Sequence, residues 1–99
     1  MPKKTIKVVA QVTAFADKIA EVQAILQAIV APTRLETGCL SYRLFRNSGH
    51  PAEFLFIEEW VDENAINAHF TTSHIRDALA KVTPLLAVAP IIEKYESLA

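Results

Sequence analysis

One cysteine in 99 residues, Cys39, leaves nothing for an intramolecular disulfide or for a cysteine-based structural zinc site. That scarcity fits a reducing cytoplasm. Charge of one sign is missing too: ten basic and eleven acidic residues are interspersed, for a net charge of −1. With no basic stripe and no like-charge run, there is no electrostatic footprint for nucleic acid or an anionic membrane. No apolar run approaches the length of a membrane span. Near the start, Lys3 and Lys4 precede an apolar stretch and Ala14-Phe15-Ala16 mimics a signal-peptidase site. Lys7, Gln11 and Thr13 interrupt that stretch at alternate positions, which is strand patterning rather than a secretory signal. The expectation is a cytoplasmic protein with neither nucleic acid nor membrane as partner.

What the chain has is apolar surface. Hydrophobic residues make up 52% of it, against about 45–50% in ordinary globular domains. Its length suits one domain, residues 1–99, hiding roughly 60–70% of its unfolded surface. A small monomer has difficulty hiding this much apolar surface, and a second copy is the simplest cover. A homodimer with an apolar interface is therefore expected; the plainer alternative is a monomer with an aliphatic-rich core.

The periodicity gives six main elements. Residues 5–14 alternate as a strand, with Ile6, Val8, Ala10 and Val12 on one face and Lys7, Val9, Gln11 and Thr13 on the other. Asp17 is placed to cap a helix whose stripe is Ile19, Val22, Leu26, Ile29 and Val30. Pro32 ends or kinks it, and Gly38 supplies the exit turn. Residues 39–46 form a second strand, and Asn47-Ser48-Gly49-His50-Pro51 reads as a connection longer than a two-residue turn. Residues 53–61 form a third strand, with Phe54, Phe56, Glu58 and Trp60 on one face and apolarity suggesting burial on both. Asp62 caps a second helix to about Phe70. Thr71-Thr72-Ser73 can break and recap it before a helix carrying Ile75, Leu79 and Val82, and residues 91–95 alternate as a last strand. Strand, helix, strand, strand, helix, strand is the α+β, ferredoxin-like βαββαβ arrangement, an antiparallel sheet with helices on one face.

Chemistry concentrates in the second half. On an unbroken helix His69 and His74 lie some 140° apart. With the helix interrupted at 71–73, both imidazoles can approach one cavity. Neutral histidine near pH 7 is the natural general base for a phenol or enol; the plainer reading is one helix-end histidine and one solvated. A two-histidine metal site is not expected, since no carboxylate sits at a convincing ligand spacing. Trp60, Phe56, Phe70 and Tyr42 offer aromatic walls, or ordinary core packing. Glu58 shares a strand face with aromatics, so it must find a partner such as Arg34 or Arg43, or have its ionisation shifted. Gln11, polar in mid-strand, either bonds a ligand or faces solvent. Cys39 reads as an inert packing residue.

Three motifs, Arg34-x-Glu36-x-Gly38-Cys39-x-x-Tyr42, Glu58-Glu59-Trp60 and His69-x-x-Thr72-x-His74, resemble the antibiotic-biosynthesis monooxygenase family in its quinol monooxygenase-like branch. The resemblance spans essentially the whole chain. It implies a ferredoxin-like protomer that pairs into a dimeric α+β barrel, with a pocket between sheet and helices in each copy. The family also includes haem-degrading enzymes and an isomerase of a phosphorylated signalling molecule. Gln11 in place of the haem degraders' first-strand asparagine argues against that branch, as do His69 near their tryptophan and Leu79 near their histidine.

The function expected is that of a cofactor-free monooxygenase, needing neither metal nor flavin, acting on a small electron-rich quinol or polyphenol with dioxygen. His69 or His74 would take the phenolic proton, with Trp60 completing the catalytic set. Gln11, Tyr42 and Glu58 would hydrogen-bond the substrate, and Phe56 and Phe70 would wall it in. Two alternatives stay open. One is an isomerase of a small hydroxy-ketone, with Arg43, Arg46 or Arg76 clamping any phosphate. The other is a non-catalytic dimeric module that sequesters a quinone or similar metabolite.

Overall fold

The structure is a computed structural model that describes residues 4–99; Lys3, one of the two early basic residues, lies outside that range. Strands β1 (Ile6–Thr13), β2 (Cys39–Asn47), β3 (His50–Trp60) and β4 (Ile91–Tyr95) form one antiparallel sheet in the order β2-β3-β1-β4. Helices α1 (Ile19–Ala28), α2 (Val30–Arg34), α3 (Glu63–His69) and α4 (Ser73–Val82) connect them, and a 3-10 turn covers Thr83–Leu85. This is the ferredoxin-like α+β fold read from the periodicity. No helix among the described residues is long and apolar enough to cross a membrane.

Alternation decides which face of the sheet meets the helices. Val8, Ala10 and Val12 of β1 and Phe54, Phe56, Glu58 and Trp60 of β3 are buried. They meet Val22 and Leu26 of α1, Ile66 of α3, and Ile75, Ala78 and Val82 of α4 in one core. The register sets Glu58 between Val8 of β1 and Tyr42 of β2, in the middle of that face. The opposite face is only half covered: Val9, Leu55 and Ile57 are partly exposed, and every residue of β4 is exposed.

Several local readings are corrected. Asp17 does not cap α1; it lies within a tight turn closed by the Lys18 amide on the Phe15 carbonyl at 2.9 Å, and the helix starts at Ile19 with Lys18 as its cap residue. Pro32 sits inside α2, and the break falls three residues earlier, at Ile29. Proline has no N–H for the carbonyl four residues back, so the ladder parts at Ala28 and resumes with Thr33 donating to Ile29. The hairpin is tighter than expected: Asn47 pairs with His50, leaving Ser48-Gly49 as the loop, and Pro51 falls within β3. An Asn47 side chain accepting from the Gly49 amide closes it.

Two readings at helix ends hold. Asp62 Oδ1 accepts from the Ala65 amide at 2.9 Å and caps α3. The helix is interrupted after His69, where the Thr71 and Thr72 hydroxyls donate back to the carbonyls of Ala68 and His69, both at 2.7 Å. They close the end of α3 and give no side-chain cap to α4.

Gly38 does not serve as a left-handed turn, since no residue with positive φ occurs among those described. It is there for space: a Cβ at this position would lie 2.2 Å from the Ala65 Cβ and 3.1 Å from Val61 Cγ2. Gly38→Ala should therefore overpack the seam between α3 and the segment leading into β2, at a cost of about 1–3 kcal/mol. Urea unfolding tests this. An unchanged midpoint would mean that α3 yields freely.

Candidate active site

A cavity of about 70 Å³ lies between the sheet and the helices. Its walls are apolar apart from Tyr42, Glu58 and His69, and Phe70, Leu79 and Ile92 stand at its partly exposed rim. An apolar cavity of roughly 150 Å³ is what takes up benzene, so this one admits an aromatic ring only when rim side chains swing out.

His69 is the last residue of α3 and is buried, 3% exposed. Aromatic rings enclose it: Trp60 at 4.7 Å between ring centroids, Phe70 at 5.2 Å and Tyr42 at 5.6 Å. Its Nδ1 lies 2.8 Å from Glu36 Oε2. The same carboxylate oxygen lies 2.8 Å from Nε2 of His74, and the Thr72 hydroxyl stands 3.4 Å from that nitrogen. With Glu36 ionised, both imidazoles donate to Oε2. His69 then keeps its proton on Nδ1, and Nε2 remains as the acceptor. Burial pushes the His69 pKa down, the Glu36 hydrogen bond and charge oppose that, and His74 adds to the depression.

Glu36 was not singled out from the sequence. It is separated from the histidines by 33 and 38 residues, so no local period links them. The only signal was its place in the Arg34-to-Tyr42 motif. The interruption at 71–73 does bring His69 and His74 together, with ring centroids 6.3 Å apart.

Glu58 faces the cavity and finds neither Arg34 nor Arg43. Its partner is Trp60, whose Nε1 donates to Oε1 at 2.8 Å, while the Arg34 Nε donates to the Tyr42 carbonyl. Burial pushes the Glu58 pKa up to about 7; the Trp60 hydrogen bond lowers it and the Glu36 charge raises it. Burial, with the Glu58 charge next, holds the Tyr42 phenol above its ordinary value. Burial likewise raises the Cys39 thiol, as suits a packing residue.

The remaining candidates divide. Tyr42, Phe56, Glu58, His69 and Phe70 line the cavity. Trp60 is fully buried and contributes through its contacts with Glu58 and His69 rather than as a cavity wall. His74 reaches the site through Glu36. Gln11 is not brought to it: its amide donates to Glu53 at 3.0 Å, and the cavity takes Ala10 and Val12, its neighbours on the opposite face. Arg43, Arg46 and Arg76 are also absent from the lining; Arg43 lies over Phe45 and Arg46 over Phe54.

Comparison with known proteins gives a consistent result. The family model described as antibiotic biosynthesis monooxygenase matches residues 5–81. An uncharacterized Synechocystis protein is 34% identical over 80 residues, 81% of this chain but only 54% of the relative, so the match spans about half of that protein's length. YcnE of Bacillus subtilis, which carries a provisional monooxygenase name, is 37% identical over 65 residues, 66% of this chain and 67% of its own. Among solved structures, PA3566 of Pseudomonas aeruginosa superposes with a TM-score of 0.94 at 29% identity, covering 100% of this chain and 99% of that one.

The raised Glu58 pKa sets a pH dependence of stability. Between the ordinary value of 4.5 and about 7, the unfolded chain has released this proton and the folded chain still holds it. Glu58's contribution is fully present below pH 4.5 and is lost as pH rises through 7. Tyr42 and His69 are the other titratable groups lining the cavity, with Glu36 bonded to His69 behind it, and the comparison with a variant cancels their common effect. Glu58→Gln, which still accepts from Trp60, should match the native protein near pH 4 and gain on it by about 3 kcal/mol at pH 8. Denaturant unfolding across that range checks it; a difference independent of pH would refute the buried neutral carboxyl.

Proposed function

The chain belongs to the antibiotic biosynthesis monooxygenase family, and from that premise we propose that it is a cofactor-independent monooxygenase of a small electron-rich aromatic, a quinol or polyphenol. The observation that carries this is the His69 imidazole on the wall of an apolar cavity, with Nδ1 tied to Glu36 and Nε2 free to accept a proton.

In this reading a rim opening admits the quinol, and His69 Nε2 takes a phenolic proton. Glu36 holds the ring in the accepting tautomer and stabilises the imidazolium that forms. His74, on the same carboxylate oxygen, fixes where Glu36 points. The anion passes one electron to dioxygen, and the two radicals combine to a ring peroxide anion, which takes the proton from the His69 imidazolium to become a hydroperoxide. His69, neutral again, then removes the hydrogen from the oxygenated ring carbon as the O–O bond breaks, and that proton joins the departing hydroxide as water, leaving a hydroxyquinone. One oxygen atom enters the ring, the other becomes water, and the quinol supplies all four electrons. Tyr42 and Glu58 are the remaining polar groups for substrate oxygens, and Phe56 and Phe70 pack against the ring.

One observation favours a second reading, isomerisation of a small hydroxy-ketone. Glu58, protonated below about pH 7, lines the same cavity as His69, a pairing suited to moving a proton between carbons. No arginine lines the cavity, which counts against a phosphorylated substrate there. The half-covered sheet face, with Phe45, Ile91 and Tyr95 exposed, supports the expected homodimer.

Oxygen uptake by metal-stripped protein over hydroquinones, naphthoquinols and anthrones tests the leading reading. His69→Ala should lower turnover by about 10²–10⁴-fold, and Glu36→Gln should lower kcat more than it raises KM. Full activity in His69→Ala on a confirmed substrate would refute the assignment of the base, and oxygen-independent turnover would favour the isomerase. Light scattering on the purified protein should give twice the chain mass; a single-chain mass would exclude the dimer.

A further inference from the structure

The Glu36 carboxylate oxygen is 2.8 Å from His69 Nδ1 and 2.8 Å from His74 Nε2, and the three atoms all lie within 4.8 Å of one another. They come from three places in the fold: the segment after α2, the end of α3 and the start of α4. We propose that Glu36, His69 and His74 form a binding site for one divalent transition-metal ion, zinc above all, and that filling it switches off His69 as a base. The first half stands on geometry alone; the second rests on the catalytic reading given above.

Two imidazoles and a carboxylate suit zinc, cobalt and nickel, whereas magnesium and calcium prefer all-oxygen surroundings. A tetrahedral zinc about 2.0–2.1 Å from each ligand atom places those atoms roughly 3.3–3.4 Å apart. Each oxygen–nitrogen pair therefore opens by about half an ångström, and the two ring nitrogens draw together. His69 is clamped by its aromatic neighbours, so His74 supplies the adjustment, its side chain 24% exposed at the start of α4. His74 also borders a surface groove with Asp77 and Lys81, which gives an ion a route that avoids the apolar cavity. The fourth position is left for water.

The consequence for His69 follows from its single ring proton. Without metal that proton sits on Nδ1 and donates to Glu36. With metal on Nδ1 the proton must sit on Nε2, the ring's other nitrogen. The His69 ring keeps its one proton, yet its Nε2 changes from acceptor to donor. Metal binding and proton abstraction exclude one another at this residue.

The test uses untagged, chelator-stripped full-length protein. Calorimetric titration with zinc and visible absorption on titration with cobalt measure the binding. Long-range proton–nitrogen NMR reports which nitrogen of His69 carries the proton. Expected are one ion per chain, a shift of the His69 proton from Nδ1 to Nε2, and affinity at least tenfold lower in Glu36→Gln and His74→Ala. His50→Ala, at the exposed hairpin, should bind as the native protein does. Saturating zinc should lower oxygen uptake as far as His69→Ala does. Absence of stoichiometric binding to the native protein, binding undiminished in both variants, or an unmoved His69 proton would each overturn the proposal. The binding measurements use no substrate, so the two readings fail separately. Zinc bound in a protein that turns over no quinol leaves the metal site standing, and quinol turnover in a protein that ignores zinc leaves the oxygenase.

Discussion

The segment between α2 and β2 lies against α3 so closely that residue 38 has no room for a side chain, and the arrangement of the site depends on that contact. A Cβ there would fall 2.2 Å from Ala65. Close packing at this seam brings the preceding turn of chain, and with it Glu36, over the end of α3. The bonds from Glu36 to His69 and His74 follow, and so does the orientation of the ring that closes the cavity. The Val61 amide donating to the Gly38 carbonyl at 3.0 Å fastens the same seam from the sheet side.

A buried imidazole and a buried carboxyl group within one small core would be expensive to desolvate without partners. Here each has one. His69 gives its Nδ1 proton to Glu36, and Glu58 accepts from Trp60. Glu36 has two imidazoles on one oxygen; Glu58 has a single indole N–H, and burial pushes its pKa up to about 7. Trp60 links the two arrangements, bonded to Glu58 by its nitrogen and packed on His69 by its ring, with centroids 4.7 Å apart. It is the only tryptophan in the chain, and its role is to hold two polar groups in place from beneath.

What could be read from the sequence is what short-range pattern encodes. Alternation in β1 and β3 placed Val8, Phe54, Phe56, Glu58 and Trp60 on one face, and the hydroxyl run after Phe70 marked the break that lets His74 approach His69. What escaped depends on contacts between distant segments. Glu36 lies more than thirty residues from either histidine, and nothing in a local window separates it from a solvated acid. Pro32 displaced the helix break to Ile29 because a proline's effect falls on the carbonyl four residues earlier. Gln11 illustrates the limit of pattern: alternation put it correctly opposite Ala10 and Val12, but which face holds the cavity is settled only when the helices dock. The ring of aromatics was legible as a cluster. That most of it encloses a histidine could not be seen without the fold.

Phe70 follows His69 directly, at the point where α3 has ended and α4 has not begun. The two neighbours have opposite freedoms. The ring of residue 69 is held by a hydrogen bond and by packed neighbours, whereas the ring of residue 70 stands at the rim with 39% of its surface in solvent. Rotation of Phe70 about its own side-chain bonds breaks no hydrogen bond and disturbs no helical ladder. Rearrangement of this rim is therefore a rotamer event of roughly nanosecond duration, which leaves the His69 ring stationary while the ring beside it swings.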